Sequence, residues 1–261
     1  NWLPYRSFDA KSRMFINTES VGFILELAPM MGADERSGEI LTQFLSDAVP
    51  SGCEIQLIHW QSPSIGERIA DWVMPRVVAK GVYGRAAMHR ARWLRRGAWM
   101  SISKDAPFFV RSHRVILSVG ASLRSPIGAD MLSTVRDSLM GTCQALSIPA
   151  RDMGPVELIA FLDDFLCPSV DNADRPEHYS ELDPINVQCI RRDLETQVTP
   201  DRIVLKTERF RPTGEEIDGA PVIGEVVPDT FDWRFFSVRN LPKQWAPWDV
   251  QKIIGDVIND K

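Results

Sequence analysis

Strand-like and helix-like segments alternate along residues 21–146, and this alternation constrains the fold more than any other feature. Apolar runs typical of strands occupy residues 21–27, 53–60 and 113–119. Apolar positions spaced as on one face of a helix follow each run, at residues 34–48, 64–100 and 130–146. The order predicts an α/β (α+β) fold, in which helices cover a mixed sheet with ferredoxin-like alternation of strands and helices.

Two details refine this expectation. The run 53–60 is apolar on both faces, with Ile55 and Leu57 on one side and Ile58 and Trp60 on the other, which predicts a central strand. Residues 155–166 predict a buried helix, and residues 167–200 a polar, proline-interrupted excursion. Extra strands near the C-terminus are predicted at residues 203–210, 222–227 and 233–238. We expect a single module over residues 1–261, with a subdivision near residue 150 as the alternative.

Composition is ordinary for a globular protein, with 44% hydrophobic and 25% charged residues. No apolar run has the length of a membrane span, and no secretory signal is visible. The four cysteines are far apart in the chain, at positions Cys53, Cys143, Cys167 and Cys189. This spacing excludes a zinc ribbon and favours small packing residues in a cytoplasmic protein.

Charge is distributed unevenly along the chain. The net charge is −5, yet residues 72–104 contain no Asp or Glu. The basic residues of this block are Arg76, Lys80, Arg85, Arg90, Arg92, Arg95, Arg96 and Lys104. A cationic block on an acidic chain indicates a surface that attracts an anionic partner.

Helical spacing groups the central residues of the block. Arg85, His89, Arg92 and Arg96 share one face of a helix, and Trp93 and Arg95 lie beside it. These six residues form the candidate docking surface. Anionic lipid, nucleic acid and an acidic protein are its candidate partners, and a merely solvated face is the alternative. No helix-turn-helix, zinc finger or RRM signature supports sequence-specific nucleic-acid recognition.

Catalytic and metal-binding patterns are weak. Asp163 and Asp164 are helix neighbours that point about 100° apart, so we expect a polar strip rather than an acid/base pair. Cys53 and His59 share a strand face but lie about 20 Å apart at strand rise. Cys167, His178 and Cys189 have no standard metal-ligand spacing. We therefore predict no catalytic, cofactor or metal site, with a small-molecule enzyme as the least supported alternative.

The last thirty residues predict a connector to a further domain. Val250, Ile253, Ile254, Val257 and Ile258 form one apolar helix face that runs almost to Lys261. The candidate interdomain contacts are Arg239, Trp245, Trp248, Ile254 and Ile258. Together with the start at Asn1 instead of Met, this face leads us to expect an N-terminal module cut from a longer protein.

Three blocks in order resemble the N-terminal region of TraC-like ATPases of type IV conjugative transfer systems. The first comprises Leu3-Pro-Tyr-Arg-Ser-Phe-Asp, Phe15-Ile-Asn, Val21-Gly-Phe-Ile-Leu-Glu-Leu-Ala-Pro and Gly32-Ala-Asp-Glu. The second contains Gly81-Val-Tyr-Gly-Arg-Ala-Ala and Trp93-Leu-Arg-Arg-Gly-Ala-Trp. The third runs from Phe235 to Asp256 and includes Ser-Val-Arg-Asn-Leu-Pro. Together they span most of the chain.

The resemblance implies a cytoplasmic protein at the periphery of the inner membrane that powers pilus assembly and DNA transfer. It implies inner-membrane components of the type IV secretion machine, the protein's own ATPase domain and further copies as partners. ATP and Mg²⁺ are implied only for that motor domain, because no Gly-Lys dipeptide of a P-loop occurs in this chain. We expect a non-catalytic docking and oligomerisation module. The alternative is a nucleic-acid-binding module acting through residues 76–104.

Overall fold

The computed structural model describes residues 3–30, 35–78, 81–104, 107–169, 178–190, 194–200, 202–212, 216–217, 220–221 and 224–234. The chain divides into two compact units, Asn1–Leu194 and Glu195–Lys261. Residue 150, the alternative point of subdivision, lies in a strand inside the first unit. That the whole chain acts as a single module stays a prediction.

The first unit contains a six-stranded antiparallel sheet. Its strands are β1 (Tyr5–Asp9), β2 (Met14–Asn17), β3 (Ser20–Leu27), β4 (Cys53–Ser62), β5 (Ser112–Ser122) and β6 (Ala150–Asp152). The spatial order is β1-β2-β3-β5-β4, and β6 also pairs with β3. Since β3 and β4 are both antiparallel to β5, they run parallel to each other on either side of it. In the same way, β5 and β6 lie on either side of β3.

The described residues of the first unit also form six helices. They are α1 (Glu35–Asp47), α2 (Gly66–Val78), α3 (Gly81–Arg96), α4 (Ala129–Ala145), α5 (Pro155–Leu166) and α6 (Ile185–Gln188). Because α1 joins β3 to β4 and α4 joins β5 to β6, two split strand–helix–strand units interleave as in ferredoxin-like folds. The predicted α/β class and ferredoxin-like alternation are confirmed. The prediction of a mixed sheet differs from the structure, in which every described strand pairing is antiparallel. The two parallel strands of each split unit never pair with each other, because an antiparallel strand of the other unit lies between them.

Both faces of β3 are covered, because successive side chains of a strand point to opposite sides of the sheet. Phe23 and Leu25 belong to a cluster with Leu132 of α4. Ile24 belongs to a second cluster, with Leu158 of α5. The strand buried on both faces is therefore β3, at the centre of the sheet.

The predicted central position of residues 53–60 is wrong. Strand β4 ends the strand order, and within the described residues it pairs only with β5. Ile55 and Leu57 are exposed, whereas Ile58 and Trp60 pack against the cluster that includes α5. Apolar residues on both faces of β4 therefore show neither that both faces are covered nor that the strand has a neighbour on each side in the sheet.

The second unit contains strands only, in the part that the structure describes. Strands β7 (Glu195–Val198), β8 (Arg202–Pro212) and β11 (Gly224–Arg234) form an antiparallel sheet in the order β11-β8-β7. The short strands β9 (Glu216–Ile217) and β10 (Ala220–Pro221) form a separate pair. The predicted strands at 203–210 and 222–227 correspond to β8 and β11. The strand predicted at 233–238 begins inside β11, and its residues 235–238 lie outside the described residues.

Candidate docking site

Helices α2 and α3 form a hairpin inserted between β4 and β5, and the hairpin has an apolar core of its own. Ile69 and Val73 of α2 are buried in one cluster with Ala87 and Ala91 of α3. The α3 residues buried along this contact are all small. Small side chains let two helices approach closely, so the hairpin is a packed element rather than an extended loop.

The predicted cationic face of α3 lies on its exposed side. Arg85, His89, Arg92 and Arg96 are all exposed, at the spacing of four, three and four residues that aligns them along the helix. Trp93 and Arg95 are also exposed. The structure thus places the six candidate residues together on the surface. Their docking role stays a prediction.

Contacts within the hairpin position some of the cations. The Arg76 guanidinium lies 4.4 Å from the centroid of the Trp72 ring and donates a hydrogen bond to the Trp72 carbonyl. The Arg90 guanidinium lies 5.7 Å from the same ring. Arg96 Nε donates to Met100 Sδ at 3.1 Å. These contacts hold positive charge close to the hairpin, where an anionic partner would meet it.

The base of the hairpin is fixed to β5 by Arg111. Its guanidinium donates to the Ala98 carbonyl and lies 5.7 Å from the Trp99 ring. Burial lowers the pKa of Arg111 below its ordinary value. The Val110 amide also donates to the Gly97 carbonyl at 2.8 Å. Trp99 therefore lies beyond the end of α3, as part of this base.

An ion-pair cluster in the sheet, with Glu26 and Arg114 partly buried and Arg151 exposed, was not predicted from the sequence. The Glu26 carboxylate accepts from Arg114 Nε at 2.7 Å and from Arg151 Nη2 at 2.5 Å. Burial alone would raise the pKa of Glu26, but hydrogen bonds from the two arginines lower it below the ordinary value. The Arg114 guanidinium lies 5.1 Å from the Phe161 ring. The cluster joins β3, β5 and β6, so its role is structural.

Asp163 and Asp164 are buried, which corrects the expectation of a polar strip. Asp164 accepts hydrogen bonds from Trp60 Nε1 and Ser62 Oγ, each at 2.8 Å. These bonds attach α5 to β4. The available sequence signal was a pair of adjacent carboxylates near the end of a helix that is apolar except for these two residues and Glu157 in its first turn.

The other candidate chemistries find little support. Within the described residues, no three His, Cys, Asp or Glu side chains form a group that could hold a metal ion. Burial raises the pKa of Cys189 to about 12, so this thiol stays protonated. His59 Nε2 lies 3.0 Å from His113 Nδ1, and this pair lies exposed on the sheet.

An open cleft of about 670 Å³ lies beside α4 and β6, but its charged side chains pair with one another. Arg136 Nη2 lies 2.9 Å from Asp137 Oδ1, and Arg136 Nε lies 3.8 Å from Asp152 Oδ1. Charged groups paired in this way do not converge on a ligand. The cleft thus adds nothing to the small-molecule alternative.

The candidate interdomain contacts Arg239, Trp245, Trp248, Ile254 and Ile258 lie outside the described residues, and their role stays a prediction. Among the helices that the structure describes, none combines the length and apolar character of a membrane span.

Comparison with known proteins gives two matches. The family described as TraC protein matches residues 1–261, the whole chain. Protein TraC of Escherichia coli (strain K12) is 27% identical over 217 residues, which cover 78% of this chain and 24% of that protein. The chain therefore spans about a quarter of the length of this curated relative. No solved structure matches.

Proposed function

Because the chain belongs to the TraC protein family, we propose that it serves as a docking module in a conjugative type IV secretion system. In this proposal it is a non-catalytic part of an ATPase that powers pilus assembly and DNA transfer. The cationic face of α3 contacts inner-membrane components of the machine, which places the protein at the cytoplasmic side of that membrane. The residues after 234 connect it to the motor domain, and contacts between copies support oligomerisation.

The observation that carries the proposal is the exposed row of cations on a separately packed hairpin. Arg85, His89, Arg92 and Arg96 are exposed, and residues 72–104 contain no acidic side chain. Opposite charges accelerate encounter and orient the partners. The exposed face of α3, which lies in a stretch of 33 residues without Asp or Glu, is therefore suited to a partner with a negative surface.

The test is binding of the purified chain to inner-membrane vesicles. Vesicles come from cells with the transfer apparatus and from cells without it. We expect stronger binding to the first, and a loss of that excess in Arg92→Glu with Arg96→Glu. The matched control, Arg6→Glu with Arg124→Glu, makes the same charge change at exposed positions outside the hairpin and should bind normally. Equal binding of both double variants would overturn the proposal.

The nucleic-acid alternative makes a different prediction for the same variants. If the basic block binds DNA, affinity should fall steeply with salt concentration and with both charge reversals. Under the docking proposal, the two charge reversals should leave any weak DNA binding unchanged. They should remove the excess binding to vesicles from cells with the transfer apparatus.

The non-catalytic part of the proposal has its own test. ATP hydrolysis by the purified chain, absent from a mock purification, would contradict it.

A further inference from the structure

The turn end of the hairpin exposes four large apolar side chains. Met74 and Val78 are 59% and 74% exposed in the last turns of α2. Val82 and Tyr83 are 69% and 86% exposed in the first turn of α3. Several large apolar side chains exposed at one end of an element mark a binding surface more often than a single scattered residue does. We call these four residues the hairpin tip.

The hairpin tip is not the result of loose packing. A Cβ atom placed on Gly84 would lie 3.2 Å from the Arg76 carbonyl oxygen and 3.5 Å from Val77 Cα, so the two helices touch here. Gly81 begins α3 with a φ of +77°, a conformation that favours glycine. With Val73 and Ala87 buried between the helices, the four apolar residues are held on the outside.

Cations lie both among the tip residues and behind them along the hairpin, and Lys80 comes between Val78 and Val82 in the sequence. Arg76, two residues before Val78, is held against the Trp72 ring, and Arg85 is exposed on α3. Further arginines follow toward the base, with no acidic residue between positions 72 and 104. An apolar end followed by positive charge matches the profile of an anionic bilayer, whose acyl region lies beneath a negative headgroup layer.

From this arrangement we propose that the hairpin tip enters the boundary between headgroups and acyl chains of an anionic bilayer. The arginines of α3 then lie among the lipid phosphates. This inference rests on the proposed docking function, and it adds that the hairpin docks into the lipid bilayer itself. The combination of apolar and cationic side chains along the hairpin favours lipid as the partner of the tip. The experiments below distinguish lipid from a groove on a partner protein.

The experiment measures partition of the purified chain onto protein-free vesicles. Vesicles of phosphatidylcholine with phosphatidylglycerol should bind the chain, and phosphatidylcholine alone should bind it far less. Val78→Ser with Tyr83→Ser should lower partition about tenfold or more, because two apolar side chains lose their burial. Leu182→Ser with Val187→Ser is the matched control, because it removes two exposed apolar residues elsewhere and should change partition less than twofold.

Insertion is tested separately with an environment-sensitive fluorophore. In a Cys53→Ser background, NBD on Val78→Cys should shift to the blue and brighten on anionic vesicles. NBD on Leu182→Cys should not. An unshifted signal at position 78, or equal binding to both vesicle compositions, would overturn insertion.

The two proposals fail in distinguishable ways. If the tip variant binds protein-free vesicles normally and the Arg92/Arg96 reversals abolish binding to transfer-proficient membranes, insertion is wrong and docking stands. A tip variant that binds lipid normally but loses only the excess on transfer-proficient membranes points to a protein groove. If lipid binding needs the tip but transfer-proficient membranes give no excess, insertion stands and the docking function fails.

Discussion

In the sheet of the first unit, charged side chains pair with one another within the fold, whereas helix α3 exposes a row of cations along one face. The partly buried Glu26 carboxylate accepts hydrogen bonds from Arg114, which is also partly buried, and from Arg151, which is exposed. Arg85, His89, Arg92 and Arg96 form an exposed row without a neighbouring acidic residue in sequence. Buried charge requires partners within the fold, while exposed charge can serve a partner outside it. Substitutions should therefore lower stability in the core and lower binding in the hairpin.

The largest expected effect lies in a row of three leucines across the sheet. Leu25, Leu117 and Leu57 are register partners on β3, β5 and β4, and are 0%, 7% and 65% exposed. Leu25→Ala should lower the free energy of unfolding by about 3–4 kcal/mol through lost burial and a cavity. Leu57→Ala should cost less than about 1 kcal/mol. Urea unfolding of both variants measures the difference. An equal loss of unfolding free energy in both variants would mean that the face of β4 that carries Leu57 is covered in solution.

The second effect concerns the Glu26 ion pairs. Glu26→Gln should lower the free energy of unfolding by about 3 kcal/mol at neutral pH, because two arginines lose their charged partner. The pKa of Glu26 in the folded protein lies below its ordinary value of 4.5. The ionised carboxylate therefore stabilises the fold at every pH above 4.5, and this stabilisation is lost as the pH falls from 4.5 toward the pKa of the folded state. The stability difference between wild type and variant should therefore shrink below about pH 4.5.

Urea unfolding between pH 3 and pH 7 measures this difference, with Glu54→Gln on the exposed edge strand as the control. A difference that stays constant over the whole range would contradict the role assigned to the Glu26 carboxylate.

Asp164 should show a smaller effect. Asp164→Asn replaces one accepting oxygen by an amide donor, so either Trp60 Nε1 or Ser62 Oγ loses its acceptor. We expect a loss of about 2 kcal/mol. Ser62→Ala removes one donor and should cost less. Urea unfolding followed by tryptophan fluorescence compares the two variants. A stability unchanged by Asp164→Asn would mean that α5 is held to β4 by apolar packing alone.

The smallest effect on stability is expected in the hairpin. Arg92→Glu with Arg96→Glu should change the free energy of unfolding by less than about 1 kcal/mol, because both side chains are exposed. The excess binding to vesicles from transfer-proficient cells should nevertheless be lost. Thermal unfolding checks the first point in the same samples used for binding. A destabilisation above about 2 kcal/mol would show that this face supports the fold, and the contrast with the core would disappear.

Long periodic elements were predictable from the sequence. The helix predicted at 155–166 has the same bounds in the structure, because Pro155 begins it and apolar residues surround it. The exposed cationic face of α3 was likewise predictable, since helical spacing decides which residues share a side. The short strands β1, β2 and β6 were not predicted, because three to five residues are too few to establish a pattern.

Local sequence patterns thus determined the elements, the α/β class and the cationic face, since each depends on spacing along one segment. Only the tertiary structure decided that β4 lies at the edge of the sheet, because strand order depends on pairing between distant segments. Tertiary contacts likewise paired Glu26 with Arg114 and Arg151, and buried Asp164 against Trp60. They also decided which apolar residues of the hairpin are buried between its helices and which are exposed at its tip. Burial and pairing depend on neighbours that are remote in sequence, and no local pattern records them.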